Sequence, residues 1–166
     1  MIVNNDVLKE LLAKFGDKIL KHTEEYGILI LEASPDHVHS LLAYLQKESS
    51  LKMEFLTTMC GLHYPNKKGN ELGMMYQVKN LITGYSLRIK TFVSIEVPNI
   101  PTITDLYPAA NWMERQEYDF FGINFVGHPD LRRILNMDEM DYFPMRKEYK
   151  LEDETRDDKE DKFFGR

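Results

Sequence analysis

Cysteine is almost missing. Cys60 is the only one, which excludes internal disulfides and a self-contained iron–sulfur cluster, since such clusters normally take four protein ligands. If the protein serves redox chemistry, its cofactors are expected on other chains. Long hydrophobic runs are missing as well: the densest apolar stretch is Ile28 to Leu31, far short of the roughly 20 residues that cross a bilayer. The opening stretch MIVNNDVLKELLAKFGDK has no basic segment followed by an uninterrupted apolar one, so it does not read as a secretory signal, and a cytosolic address is expected. A surplus of basic residues is absent too. With 27 acidic against 21 basic residues the formal charge is −6, which opposes nucleic-acid binding, because that affinity comes mainly from Lys and Arg neutralising phosphates. The sequence contains no G-x-G-x-x-G, P-loop, nucleophile elbow or H-E-x-x-H, and no internal repeat. These absences fit a scaffold better than an enzyme.

What is present fits one ordinary core: 166 residues, 43% of them apolar. Val7, Leu8, Leu11, Leu12 and Phe15 fall at helical spacing between a cap at Asn5 or Asp6 and a stop at Gly16. Tyr26 to Leu31 reads as a strand. Ser34-Pro35-Asp36 then opens a second helix, running to about Lys47 with an apolar stripe of Val38, Leu41, Leu42 and Leu45. Three further strands are expected, at about Leu51 to His63, Gly73 to Val78 and Tyr85 to Glu96, separated by turn-forming segments. In the last, Leu87, Ile89, Val93 and Ile95 alternate with Arg88, Lys90, Ser94 and Glu96, one face packed and the other wet or partner-covered. The order αβαβββ predicts an α+β fold: a mainly antiparallel sheet with two helices on one face, then a short helix and an extended C-terminal arm.

The character changes at Pro98. The expected division is an α+β domain over 1–97, a helix and interface arm over 98–151, and a charged tail over 152–166 that cannot bury enough apolar surface to offset its ordering entropy. Within the arm only 109 to about 119 can be a useful helix, and ordered loop is expected from about Phe120. Residues 106–149 interleave Trp112, Tyr118, Phe120, Phe121, Phe125, Tyr142, Phe143 and Tyr149 with Arg115, Arg132, Arg133, Arg146 and Lys147. Aromatics and arginines dominate binding energy at protein interfaces, so this strap is expected to find its home on a neighbour.

The run Glu114-Arg115-Gln116-Glu117-Tyr118-Asp119-Phe120-Phe121-Gly122-Ile123, followed by Gly127-His128-Pro129-Asp130-Leu131-Arg132-Arg133-Ile134-Leu135, resembles the signature of the C subunit of respiratory complex I, the NADH:quinone oxidoreductase. Ala110 to Met113, with Trp112, and Phe143-Pro144-Met145-Arg146-Lys147 also sit where that family places similar residues. The detailed likeness covers about 45 residues, and the first hundred agree only in layout. Gln116 stands where the family pattern usually has glutamate, which puts one ion pair in doubt. The short tail implies a small version of the subunit, without fusion to its neighbour. The resemblance implies an accessory subunit that binds no cofactor and has no catalytic residue of its own. NADH, iron–sulfur clusters and quinone would then belong to partner chains. Its partners would be the large quinone-site subunit and the adjacent iron–sulfur subunit, and it would meet the membrane only through the complex, on the cytoplasmic side.

Individual residues carry their own expectations. Arg115 and Asp119 are one helical turn apart and can pair, while Glu114 and Tyr118 share a neighbouring line. His128, between Gly127 and Pro129, is expected to be structural, bonded to backbone or to a carboxylate. His37 and His39, two apart on a helix, point to different sides and read as surface residues. Glu114, Glu117, Asp119 and Asp130 each have an arginine nearby and no pocket motif, so paired catalytic carboxylates are not expected. Cys60 reads as a small buried filler. Arg132 and Arg133 are both expected to reach a partner. Three competing readings stand beside the complex I one: the equivalent subunit of a related membrane-bound hydrogenase complex, a small hydrolase using His128 with a carboxylate, and an RNA-binding module. The last would use Phe92 as an exposed aromatic on the sheet.

Overall fold

The structure, a computed structural model, describes residues 2–149; the tail expected over 152–166 lies outside the described residues. Helix α1 (Asn4–Phe15) buries Val7, Leu11 and Phe15 and ends at Gly16, whose φ of 52° lies in the region glycine favours. Its N-cap is Val3, not Asn5 or Asp6, and no side chain caps it. Strand β1 (Ile19–Glu25) follows, then β2 (Ile28–Ala33), with Tyr26 and Gly27 in the turn between them at positive φ. The strand expected from Tyr26 therefore starts two residues late, and β1 is an element that the sequence does not announce. The reason is physical: β1 is an edge strand with only Ile19 buried, so ILKHTEE carries no apolar alternation.

Pro35 opens a short 3₁₀ turn that runs into α2 (Val38–Ala43) and then into a π-helical turn over Tyr44–Glu48. The predicted stripe of Val38, Leu41, Leu42 and Leu45 is buried to the last residue. Strands β3 (Phe55–His63), β4 (Leu72–Lys79) and β5 (Ser86–Val93) complete a five-stranded sheet of order β1-β2-β5-β4-β3, antiparallel except for the parallel β2–β5 pair. The fold is α+β, with α1 and α2 covering one face. Leu29, Leu31, Met74, Tyr76, Leu87 and Ile89 point into that face.

Phe92 lies on the other face but is only 8% exposed. Its ring lies across Gly73, where a Cβ would collide with it, and Tyr64 and the Lys67 ammonium cover it at 5.8 and 4.5 Å. The open aromatic that an RNA-binding sheet requires is thus closed over by its own chain.

Beyond Pro98 the chain returns to the core. Strand β6 (Asn99–Pro101) pairs in parallel with β7 (Asn124–Val126), and between them runs α3 (Ala110–Phe121), which ends two residues beyond the expected 119. Ile100, Ile103, Leu106, Tyr107, Ala110, Phe121, Ile123 and Phe125 belong to the same buried cluster as the residues of α1 and α2. The change of character at 97/98 is therefore not a boundary of the core, and Phe121 and Phe125 have their home on this chain. Loops and turns fill 127–149.

Candidate functional site

Helix α3 carries three acids, and all three are buried. Glu114, 0% exposed, accepts the Ile103 N–H at 2.8 Å on one oxygen and the Thr102 hydroxyl at 2.5 Å on the other. One turn on, Glu117 accepts the Gly61 N–H of β3 at 2.7 Å. Gly61 is required there: a Cβ would collide with the Phe121 ring and with Glu117 Oε2. No lysine or arginine stands within 4 Å of either glutamate among the described residues, and burial pushes each carboxyl up to about 7 against those hydrogen bonds.

Asp119 has the opposite surroundings. Its Oδ2 accepts three successive backbone N–H groups, from Ile134, Leu135 and Asn136 at 3.1, 2.8 and 2.9 Å. Its Oδ1 accepts the Arg133 guanidinium at 2.7 Å and the Asn136 amide at 3.0 Å. Burial opposes its ionisation, but the donors from Asn136, Leu135 and Arg133 outweigh burial and hold the carboxyl well below the usual range. The expected Arg115–Asp119 pair does not form. Arg115 donates instead to the carbonyls of Arg132 and Arg133 at 3.2 and 3.1 Å, because the loop arriving from 132–136 offers Asp119 more donors than a helical neighbour can.

His128 has a structural place. Its side chain is wholly buried: Nε2 donates to the Asn111 carbonyl at 3.0 Å, and Nδ1 accepts the Asp130 N–H at 3.0 Å, which fixes the neutral Nε2–H tautomer. Glu114 Oε2 is 4.0 Å from Nε2. With both nitrogens engaged and no side-chain atom at the surface, His128 offers a substrate no base, which removes the geometry a hydrolase would need.

The two arginines expected to act alike do opposite things. Arg133 is spent internally, on Asp119 and on the carbonyls of Met140 and Tyr142 at 2.7 and 3.0 Å, whereas the Arg132 side chain is exposed and pairs with exposed Asp130. Phe143 lies with the Arg133 and Arg146 guanidiniums 5.2 and 4.6 Å from its ring centre and meets Tyr118 edge-on. Gly122, at φ 72°, leaves room for that ring and for Arg146, whose Nε donates to the Phe121 carbonyl at 2.7 Å. Lys147 donates its N–H to Nδ1 of His63, a buried β3 residue whose imidazole burial pushes down. Pro144 is half-buried in the same strap.

Of the signature residues, then, Glu114, Glu117, Asp119, Phe121, Gly122 and the His128 side chain are interior. Trp112, Gly127, Pro129, Arg132 and Lys147 lie at the surface. What the sequence pattern does not mark is the exposure of Leu135, Met137 and Met145 in the strap, which also holds Tyr142 and Tyr149 with their rings 4.9 Å apart. They are neither aromatic-rich nor periodic, and only their position in a turn-forming loop singles them out. His39 and Asp105 pair at the surface at 3.0 Å. Cys60 is half-buried, its thiol pushed up by burial and by Glu117. Among the described residues no group of three or more His, Cys, Asp or Glu gathers as a metal site.

A family model described as the respiratory-chain NADH dehydrogenase, 30 Kd subunit, matches residues 31–155. The NADH-quinone oxidoreductase C subunit of Salinispora arenicola is 35% identical over 146 residues, covering 88% of this chain and 60% of the relative. Its counterpart in Azorhizobium caulinodans is 34% identical over 89% of this chain and 71% of its own length. The chain thus spans 60% of the length of the Salinispora relatives. Among solved structures, a trypsin-resistant fragment (1-134) of Nqo5 superposes with a TM-score of 0.64 at 29% identity, over 76% of this chain and 98% of the fragment. A chain of the membrane-bound sulfane sulfur reductase, an archaeal respiratory membrane complex, gives 0.73 at 22% identity over 89% and 85%, a likeness of fold alone.

Proposed function

This chain belongs to the family of the respiratory-chain NADH dehydrogenase 30 Kd subunit, and from that membership we propose that it is an accessory subunit of a proton-translocating NADH:quinone oxidoreductase. It binds no cofactor itself. It docks to the large quinone-site subunit and the adjacent iron–sulfur subunit, which with further chains hold the quinone, the clusters and the NADH site. No described helix is long and apolar enough to cross a membrane, and in this reading the chain meets the membrane only through the complex, on the cytoplasmic side.

One observation carries the docking role: apolar side chains are held outward on a loop that the interior of the domain has fixed in place. Leu135 and Met137 are 63% and 69% exposed, yet the backbone between them is bonded to buried Asp119. Exposed apolar groups on an ordered frame mark an interface, because their ordering cost has been met before the partner arrives. Arg132, paired with exposed Asp130, and Lys147 are charged signature residues at the surface that can reach that partner; Glu114, Glu117, Asp119 and Arg133 shape the surface without touching it.

The test is purification of the tagged chain from its native membranes with identification of the proteins that follow it. Recovery with quinone-site and iron–sulfur subunits is expected, and a chain that returns alone overturns the reading. The same experiment separates the equivalent subunit of a related hydrogenase complex, since recovered neighbours would then include a hydrogenase and no NADH-oxidising chain.

A further inference from the structure

Trp112 is the only tryptophan, it sits in the first turn of α3, and it is 62% exposed. A tryptophan left in water on an ordered helix is unusual, because the indole is among the side chains that gain most from burial. It forms one wall of an open cleft of about 450 Å³, with Pro108 and Pro129 as further apolar walls and Thr104, Asp105 and Asn111 as its polar lining. Asp105 is the one formally charged side chain there.

The same buried and paired groups that order α3 and its loops make the cleft rigid. Glu114 ties α3 to Thr102 and Ile103, just before the Thr104–Asp105 wall. His128 ties the Gly127–Pro129 turn to the Asn111 carbonyl. His39 Nε2 lies 3.0 Å from both Asp105 oxygens and steadies that carboxylate. Three walls from separate segments are thus fixed in advance, so an incoming side chain does not have to order them.

We infer that this cleft receives an arginine or lysine side chain of a neighbouring subunit, its cation on the Trp112 face and paired with Asp105. An exposed indole attracts a cation through its ring quadrupole, and a carboxylate beside it adds charge complementarity. The amino end of α3 is no rival anion site: the Ala110 and Asn111 N–H groups already donate to the carbonyls of Tyr107 and Pro108, and the full charge of Asp105 repels an anion. The prolines and the aromatic ring suit the methylene stem behind the cation. This inference rests on the docking role proposed above and names the chemistry of one contact within it.

The test uses the full chain in native membranes. Asp105→Asn, Asp105→Lys and Trp112→Ala are each expected to keep the free chain's melting temperature, since both residues are exposed. Asp105→Asn and Trp112→Ala should each weaken retention of the neighbouring subunits by roughly tenfold, and Asp105→Lys more. Added salt should release the wild type more readily than Asp105→Asn. With Trp112 replaced by p-benzoylphenylalanine, photo-crosslinking should map to a partner segment containing Arg or Lys. If Trp112→Ala weakens binding and Asp105→Asn does not, the occupant is apolar and the cation is wrong. If neither variant has an effect while the wild type still brings down its neighbours, the cleft is no contact, although the docking role stands. If the wild type brings down nothing, both fall.

Discussion

Asp119 accepts five hydrogen bonds from the 133–136 loop, three of them from consecutive backbone groups. Asp119→Asn leaves the shape but removes the charge opposite Arg133, whose side chain is only 9% exposed. Breaking a buried pair on one side costs about 3–5 kcal/mol. The loss should appear as faster hydrogen exchange over 133–142 and weaker docking, and unchanged exchange there would remove Asp119 from this role. Arg133→Ala should follow Asp119→Asn, whereas Arg132→Ala, on an exposed side chain, should leave the free chain's melt unaltered and weaken only assembly. Equal melting losses from both arginines would contradict that split. The sequence marks these residues without sorting them. A carboxylate and an arginine one turn apart have the same spacing as any surface pair, and the loop that captures Asp119 comes from a segment with no periodicity to announce its path.

At the scale of the element, α3 docks through two buried acids without a cation, and its attachment should depend on pH. Around Glu114 stand Thr102, Asp105, His128 and, on β4, Tyr76; around Glu117 stand Gly61, Gln116 and Cys60. Both carboxyls rise from 4.5 to about 7 on folding. A raised acid favours the protonated fold, so this stability is fully present below about pH 4.5 and is lost as pH climbs to about 7, on the order of 3 kcal/mol per group. Glu114→Gln and Glu117→Gln should each flatten the decline in denaturant midpoint between pH 5 and 8, and an undiminished slope in the double variant would sink the assignment. Helix α3 is legible as the one useful helical stretch among the prolines after Pro98, while α2 and β5 are legible because each buries one regular apolar stripe. Burial of the acids is not. Charge predicts solvent unless the partners are known, and here they are Thr102 and the backbone N–H groups of Ile103 and Gly61.

For the whole molecule, the core spans residues on both sides of Pro98. A piece ending at residue 97 would lose Ile100, Ile103, Phe121 and Phe125 from that cluster and expose the apolar faces they cover. Each fully buried side chain of this size is worth about 1.5–3 kcal/mol, against a typical total of about 5–15 kcal/mol for a domain. Such a piece should therefore show no cooperative melt by circular dichroism, and a sharp transition would mean that the segment after Pro98 is an appendage after all. The α+β layout carries over from sequence to structure because it depends on strand count and helix position; the boundary does not, because composition changes there while burial continues.

The five-stranded sheet has two unlike margins. Helix α3 packs beside β3 and takes up its Gly61 N–H through Glu117, while the outer side of β1 has no neighbouring strand among the described residues. The two edges therefore differ in what a further strand would meet. An extended segment arriving at β3 would have to displace Glu117 from Gly61, a contact with no counterpart along the outer side of β1 among the described residues.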